Sequence, residues 1–394
     1  MLRNGSGWRS RAWLAVSVAV SAVAVTLFST AACWGVPVYQ VVGLGTLGGQ
    51  HTDVAAINNN GQVVGVSDTN QTCPWGTVQH AFRWQNGTMT DIGVLPGDVH
   101  SRATNINDRG QITGESMQGG HNQGRAFLCD GATITDLGTL GGYEAHIFGI
   151  NEQAQVAGAA WINSAFRALM WDNGQVTQLG SLRQSAGYTT STAWGINNSG
   201  QIVGVSFTDL GVDHAFLWEN GHMNDLGTLG SANTYSQARS INDSGQVVGW
   251  SNFQGREHRA FLWRAGVMAG ICPLGIESHA YDINENNQVV GTWETADGYY
   301  DQKGQWVPTP ETRAFLWENG IAVDLNSLIP PDSGWRLELA LGINYQGQIV
   351  GQGYLGGQYR AYLLTAVPEP SSLAVLSVAL AMGAGTRRLA RKRG

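Results

Sequence analysis

Charge is scarce in this chain. Only 13% of its 394 residues are Asp, Glu, Lys or Arg, about half the usual quarter, and Lys occurs twice. So little charge excludes a solvated disordered chain and a coiled coil, both of which depend on it. Cysteine is nearly as rare: 4 residues, with Cys73, Cys129 and Cys272 far apart. That spacing excludes a dense disulfide framework and a cysteine-based metal site. Catalytic signatures are missing too. The chain has no Gly-x-Ser-x-Gly elbow, no Ser-x-x-Lys and no His-Glu-x-x-His, and no catalytic constellation stands out.

Glycine and tryptophan are abundant instead. Gly is 54 and Trp 15, with 43% hydrophobic residues, enough for a sizeable core. The glycines follow no Gly-X-Y period. Net charge is −7, but basic residues gather at the two ends; residues 36–366 carry 14 basic against 28 acidic side chains. A body this acidic repels polyphosphate, so no nucleic-acid partner is expected.

The body is an array of seven similar units. One landmark, Ile-Asn-x-x-Gly-Gln or a variant, places its Asn at Asn58, Asn107, Asn151, Asn197, Asn242, Asn284 and Asn344. A second is a cationic residue, Ala and an aromatic or Leu, as in His80-Ala81-Phe82 and Arg259-Ala260-Phe261. A third is Asp-Leu-Gly-Thr-Leu or a variant, as in residues 136–140 and 225–229. Each unit reads as four short strands, a to d. Asn-x-x-Gly closes the a–b hairpin and Trp-x-Asn-Gly the c–d hairpin. Ala154 stands where the first turn wants Gly in a left-handed conformation, at a cost of about 1 kcal/mol.

Four antiparallel strands per ~45 residues is the size of a β-propeller blade. The seventh unit lacks strand d, whereas the N-terminus carries a spare third landmark at residues 43–47. The sequence therefore predicts an all-β fold, a seven-bladed β-propeller over residues 37–366. Residues 39–47 should pair beside 360–364 and close the ring.

The repeat resembles the HAF family of extracellular repeats, on His80-Ala81-Phe82 and His214-Ala215-Phe216, over nearly the whole body. Five copies carry Arg in place of His, so no family-wide chemistry rests on that His. The resemblance implies a secreted bacterial repeat protein without an established activity.

The two ends read as targeting segments. Arg3, Arg9 and Arg11 precede the uncharged stretch 12–28 and the small residues 29–32, the layout of a signal peptide spanning 1–32. An uncleaved anchor and lipidation at Cys33 are the alternatives. At the other end Val367-Pro368-Glu369-Pro370 precedes sixteen uncharged residues and a basic cluster. This tail, 367–394, resembles the PEP-CTERM sorting signal of Gram-negative bacteria. The resemblance implies a hydrophobic C-terminal helix held transiently in the inner membrane. It also implies processing by an exosortase and release toward the cell envelope or the exopolysaccharide; a plain tail anchor is the alternative.

In four units the cationic residue of strand c lies eleven residues before the Asp of strand d. This predicts a repeated diagonal ion pair rather than acid–base catalysis, because an active site is needed once. No metal ligands and no cofactor are expected. The b–c linkers are longest at 68–79 and 294–312, flanking unit seven in a ring. They carry the candidate ligand-binding residues Trp75, Asp297, Tyr299, Tyr300, Asp301 and Trp306, whose rings and carboxylates suit a sugar polymer. The expected function is a non-enzymatic binding or matrix module associated with exopolysaccharide or another envelope protein. The alternative is a glycan-active hydrolase or lyase working at the axial mouth.

Overall fold

The computed structural model describes residues 39–119, 124–185, 189–253, 257–273, 277–295, 298–300, 305–308 and 311–367. The segments read as signal peptide and sorting tail lie outside the described residues, Val367 excepted. Seven four-stranded antiparallel sheets follow one another along the chain. Blade 1 comprises Gly48–Ile57, Val63–Cys73, Gly76–Gln85 and Thr88–Gly93. Blades 2 to 5 repeat the pattern over residues 100–138, 145–178, 191–225 and 236–270. Blade 6 spans 278–324 and is followed by a 3-10 turn, Leu325–Leu328. Blade 7 takes Trp335–Ile343, Ile349–Leu355 and Gln358–Ala366, and receives Tyr39–Gly43 as its fourth strand.

That last pairing closes the ring. Tyr39 lies opposite Ala366, Val41 opposite Leu364 and Gly43 opposite Tyr362. The contact is the one the spare landmark implies, set two residues nearer the C-terminus than expected. Tyr39 is fully buried against Tyr362, Leu337 and Leu364.

Each landmark builds blade-to-blade joinery. The strand-c Ala is buried, and its N–H donates to a Ser hydroxyl on strand a of the next blade. Ala81 bonds Ser101, Ala168 bonds Ser191, Ala215 bonds Ser236 and Ala260 bonds Ser278, at 2.9–3.0 Å. The Leu that ends the third landmark donates its N–H to a strand-b Ser of the next blade, as Leu95 to Ser116 and Leu229 to Ser251.

The Asn of the first landmark does most. In every blade its Nδ2 donates to the Gln four residues on and to the carbonyl oxygen of the same Asn in the next blade. The chain of contacts runs from Asn58 through Asn107, Asn151, Asn197, Asn242 and Asn284 to Asn344, and returns to Asn58 at 3.1 Å. Seven buried side chains thus form an unbroken, one-directional ring around the axis. Ala154 adopts φ +61° in its turn, as expected of a residue standing in for Gly.

Strand b carries a Gly opposite the strand-c aromatic, as Gly65 opposite Phe82 and Gly204 opposite Phe216. A Cβ on Gly65 would lie 2.0 Å from the Asp53 carbonyl oxygen, and one on Gly204 would lie 2.0 Å from that of Thr192. Strand a can come this close because it is bulged. The register slips by one residue in every blade, for instance between Ala193 and Gly195 and between Ala238 and Ser240. Each bulge leaves one residue without a partner strand. Next to the a–b turns that residue faces the axis.

Candidate functional site

The bulge residues next to the a–b turns are Ala55, Thr104, Phe148, Trp194, Arg239, Tyr281 and Leu341, and all line one axial cavity of about 540 Å³; blade 7 has a second bulge, at Glu338, outside that lining. The framework around them repeats seven times; they do not. Blades 3 to 6 present Phe148, Trp194, Arg239 and Tyr281, while blades 1 and 2 present Ala55 and Thr104. One wall is therefore aromatic and cationic, and the opposite wall is small.

The rings of Phe148 and Trp194 stand 4.1 Å apart, tilted by 40°. The Arg239 guanidinium lies over Trp194, 4.3 Å from the ring centroid. Such a stack contributes about 0.5–2 kcal/mol. Among the described residues Arg239 makes no ion pair, and neither its Nε nor Trp194 Nε1 has a hydrogen-bond partner. Burial pulls the Arg239 pKa below the ordinary arginine value, against an opposing pull from Tyr281. On strand a of blade 6, Asp282 accepts from Ser240 Oγ and from the N–H groups of Ile283 and Ile343. Burial outweighs those bonds and pushes its carboxyl up to about 6.

The cavity opens at the end of the ring that carries the a–b turns. Its rim is Asn59, Asp108, Glu152, Asn198, Asp243, Glu285 and Tyr345. The four carboxylates there are engaged. Each accepts the backbone N–H of the preceding blade's rim residue, at 2.7–2.8 Å, from Asn59 to Asp108, Asp108 to Glu152, Asn198 to Asp243 and Asp243 to Glu285. Their placement is explained by holding the turns in register.

At the opposite end the diagonal pairs form as the spacing implies: His80–Asp91 at 2.7 Å, His214–Asp225 at 2.8 Å, Arg313–Asp324 at 3.8 Å, and Arg125–Asp136. The aspartates also cap the following turns, Asp91 accepting from Gly93 and Asp225 from Gly227. Deeper in, Glu115 is buried between Arg102 and His146, at 2.7 and 3.1 Å.

These contacts make stability depend on pH. The hydrogen bond to Asp91 raises the His80 pKa, and that to Glu115 raises the His146 pKa. Burial presses the His214 pKa down, but its bond and charge attraction to Asp225 leave it raised overall. A histidine with a raised folded pKa adds stability that is complete below its unfolded value, about 6.5, and is lost as pH climbs through the folded value. His279, pushed down to about 4 by burial and by His258 and Arg239, has stopped contributing any slope above 6.5. Thermal melts should therefore shift down by a few degrees between pH 6.5 and 8.5. The His80→Asn/His214→Asn double variant should flatten that slope; an unchanged slope contradicts the assignment.

The loop residues singled out in the sequence are placed as follows. Strand b of blade 1 runs on to Cys73 and turns at Pro74-Trp75, so the 68–79 linker is a hairpin extension rather than a loose loop. Trp75 is 62% exposed, and its six-membered ring lies close against Gly119 of the neighbouring blade 2 loop. Within 294–312, Gly298–Tyr300 pairs with Trp306–Pro308, setting Tyr299 opposite Val307 and Tyr300 opposite Trp306. Asp297 and Asp301 lie outside the described residues. Cys73, Cys129 and Cys272 carry no disulfide. Cys129 is buried where most blades have Trp, and burial raises its thiol pKa.

The fold defines a seven-bladed β-propeller. No protein-family model and no curated protein matches the chain. Among solved structures it is similar to the β-propeller domain of the Trilobed protease from Pyrococcus furiosus, with a TM-score of 0.51 and 9% identity, covering 80% of this chain and 96% of that one. A putative TolB from Agrobacterium tumefaciens aligns with a TM-score of 0.45 and 11% identity over 81% and 99% of the two chains. TolB from Acinetobacter baumannii aligns with 0.42 and 13% over 77% and 63%. At these identities the likeness concerns the fold alone.

Proposed function

We propose that this propeller is a non-enzymatic binding module that takes into its axial cavity a saccharide end bearing a single carboxylate, since the acidic body and rim repel a more highly charged chain. The observation that carries this reading is Arg239, a half-buried cation stacked on Trp194 without a counter-ion among the described residues. A buried guanidinium gains most from a carboxylate placed in its plane. Phe148 and Tyr281 offer ring surface to the apolar faces of a sugar, and Trp194 backs the Arg239 guanidinium. The cavity volume, about 540 Å³, falls within the usual ligand-site range of roughly 300–1,000 Å³. Export by the 1–32 signal, exosortase processing at Val367-Pro368-Glu369-Pro370 and delivery to the exopolysaccharide belong to the same reading. They rest on the layout of the N-terminus and on the resemblances of repeat and tail.

Titration of the full chain with uronate-containing and neutral oligosaccharides tests the binding. Oligomers ending in a single uronate should bind, with Arg239→Gln weakening them about 10-fold or more and Trp194→Ala weakening them too. The reading fails if no saccharide binds, or if neither substitution alters binding.

A further inference from the structure

Further along the same side of the ring, toward the end bearing the b–c and d–a loops, three ligand atoms converge across the blade 5–blade 6 junction. His258 Nδ1 lies 2.9 Å from His279 Nε2 and 3.4 Å from Glu277 Oε1. All three atoms sit within 4.8 Å of one another, the only such group among the described residues. We propose that His258, Glu277 and His279 bind a divalent transition-metal ion of the zinc class.

The geometry is close to what the ion requires. Zinc–nitrogen and zinc–oxygen bonds of about 2.0–2.2 Å in a tetrahedral site place neighbouring ligand atoms about 3.3 Å apart. The His258–Glu277 separation already matches. The two imidazoles need to part by only about 0.4 Å on the same geometry. A hydrogen bond between the rings uses one proton and satisfies two atoms, leaving the Glu277 carboxylate beside a nitrogen already engaged. A cation satisfies all three. Two imidazoles and a carboxylate form a borderline-soft set that suits Zn²⁺, Cu²⁺ or Ni²⁺ rather than Mg²⁺ or Ca²⁺.

The rings are held in place for this. Trp250 stacks on His258 with centroids 4.1 Å apart and meets His279 edge-on at 5.7 Å. Trp250 is itself fixed by a 2.9 Å hydrogen bond from its Nε1 to Gln237 Oε1. Contacts behind the ligating side chains commonly tune metal affinity.

The repeat supplies an internal control. Blade 3 carries the same Glu-x-His pair, Glu144 and His146, at the same place as Glu277 and His279. The residue equivalent to His258 is there Gly124, one before the cationic residue of strand c, and His146 turns its Nδ1 to Glu115 instead. The dyad alone does not make the site; His258 completes it.

Calorimetric titration of the metal-free full chain with ZnCl₂ tests the proposal. One equivalent should bind and raise the melting temperature, as a ligand specific to the folded state must. His258→Ala and His279→Gln should each weaken that site by at least about 100-fold, while Glu144→Gln leaves it unchanged. Melts of the metal-free variants verify that they fold, and His258→Gln serves if His258→Ala does not. Absence of binding, or binding that survives loss of either histidine, overturns the proposal. Because the saccharide reading uses Arg239 and Trp194, its failure leaves this result untouched.

Discussion

Asn197→Ala should destabilise the propeller by about 3 kcal/mol, measured as a fall in the urea midpoint at unchanged slope. The side chain is buried and fully used. Its Oδ1 accepts from the N–H groups of Ser199 and Gln201, and its Nδ2 donates to Gln201 Oε1 and to the Asn242 carbonyl. Removing it leaves two backbone donors without a partner, at about 1–3 kcal/mol each where buried, while the Asn242 carbonyl keeps the Gly245 N–H. The ring makes a second, sharper statement: Asn107→Ala and Asn242→Ala should cost somewhat less, because they keep the two Nδ2 bonds but their Oδ1 accepts only the N–H four residues on. A loss below about 0.5 kcal/mol at all three positions would show that the ring is incidental.

A chain lacking residues 37–48 should lose cooperative folding. The deletion removes the whole ladder between Tyr39–Gly43 and blade 7, and with it the buried Tyr39 ring. Five residue pairs and one aromatic amount to something on the order of 5–10 kcal/mol. That is comparable to the entire net stability of an ordinary domain, about 5–15 kcal/mol. The Gln358–Ala366 strand would also become an unpaired sheet edge, which invites aggregation. Adding the 37–48 peptide in trans should restore part of the transition. A truncated chain that melts like the intact one would mean that the ring closes some other way.

The architecture was legible because it is written seven times. Asn-x-x-Gly, the cationic-Ala-aromatic triplet and the Asp-Leu-Gly-Thr-Leu run each report a local turn or pairing, and their order exposes the displaced strand. The diagonal pairs followed from the eleven-residue spacing and the Asn-Gly turn. The axial site was not legible, because its residues obey no pattern: Phe148, Trp194, Arg239 and Tyr281 differ at one equivalent position. The available signal was the strand-b Gly, present in all seven copies at Gly65, Gly114, Gly158, Gly204, Gly249, Gly291 and Gly351. A Gly in mid-strand marks a bulge or a close backbone approach, and here it marks both. The His258–Glu277–His279 group was hidden for a different reason. Its members come from two blades and meet only when the blades stack, so spacing along the chain carries no trace of them.

The most direct test of the closed ring is a cross-link across its seam. Gln40 lies opposite Thr365, so the Gln40→Cys/Thr365→Cys double variant should oxidise to a disulfide between those two positions, identified by peptide mass mapping, and should melt above its reduced form. If the two thiols stay free under oxidising conditions, or pair only between separate molecules, the N-terminal strand is not the eighth-hour guest of blade 7 and the closed-ring account is wrong.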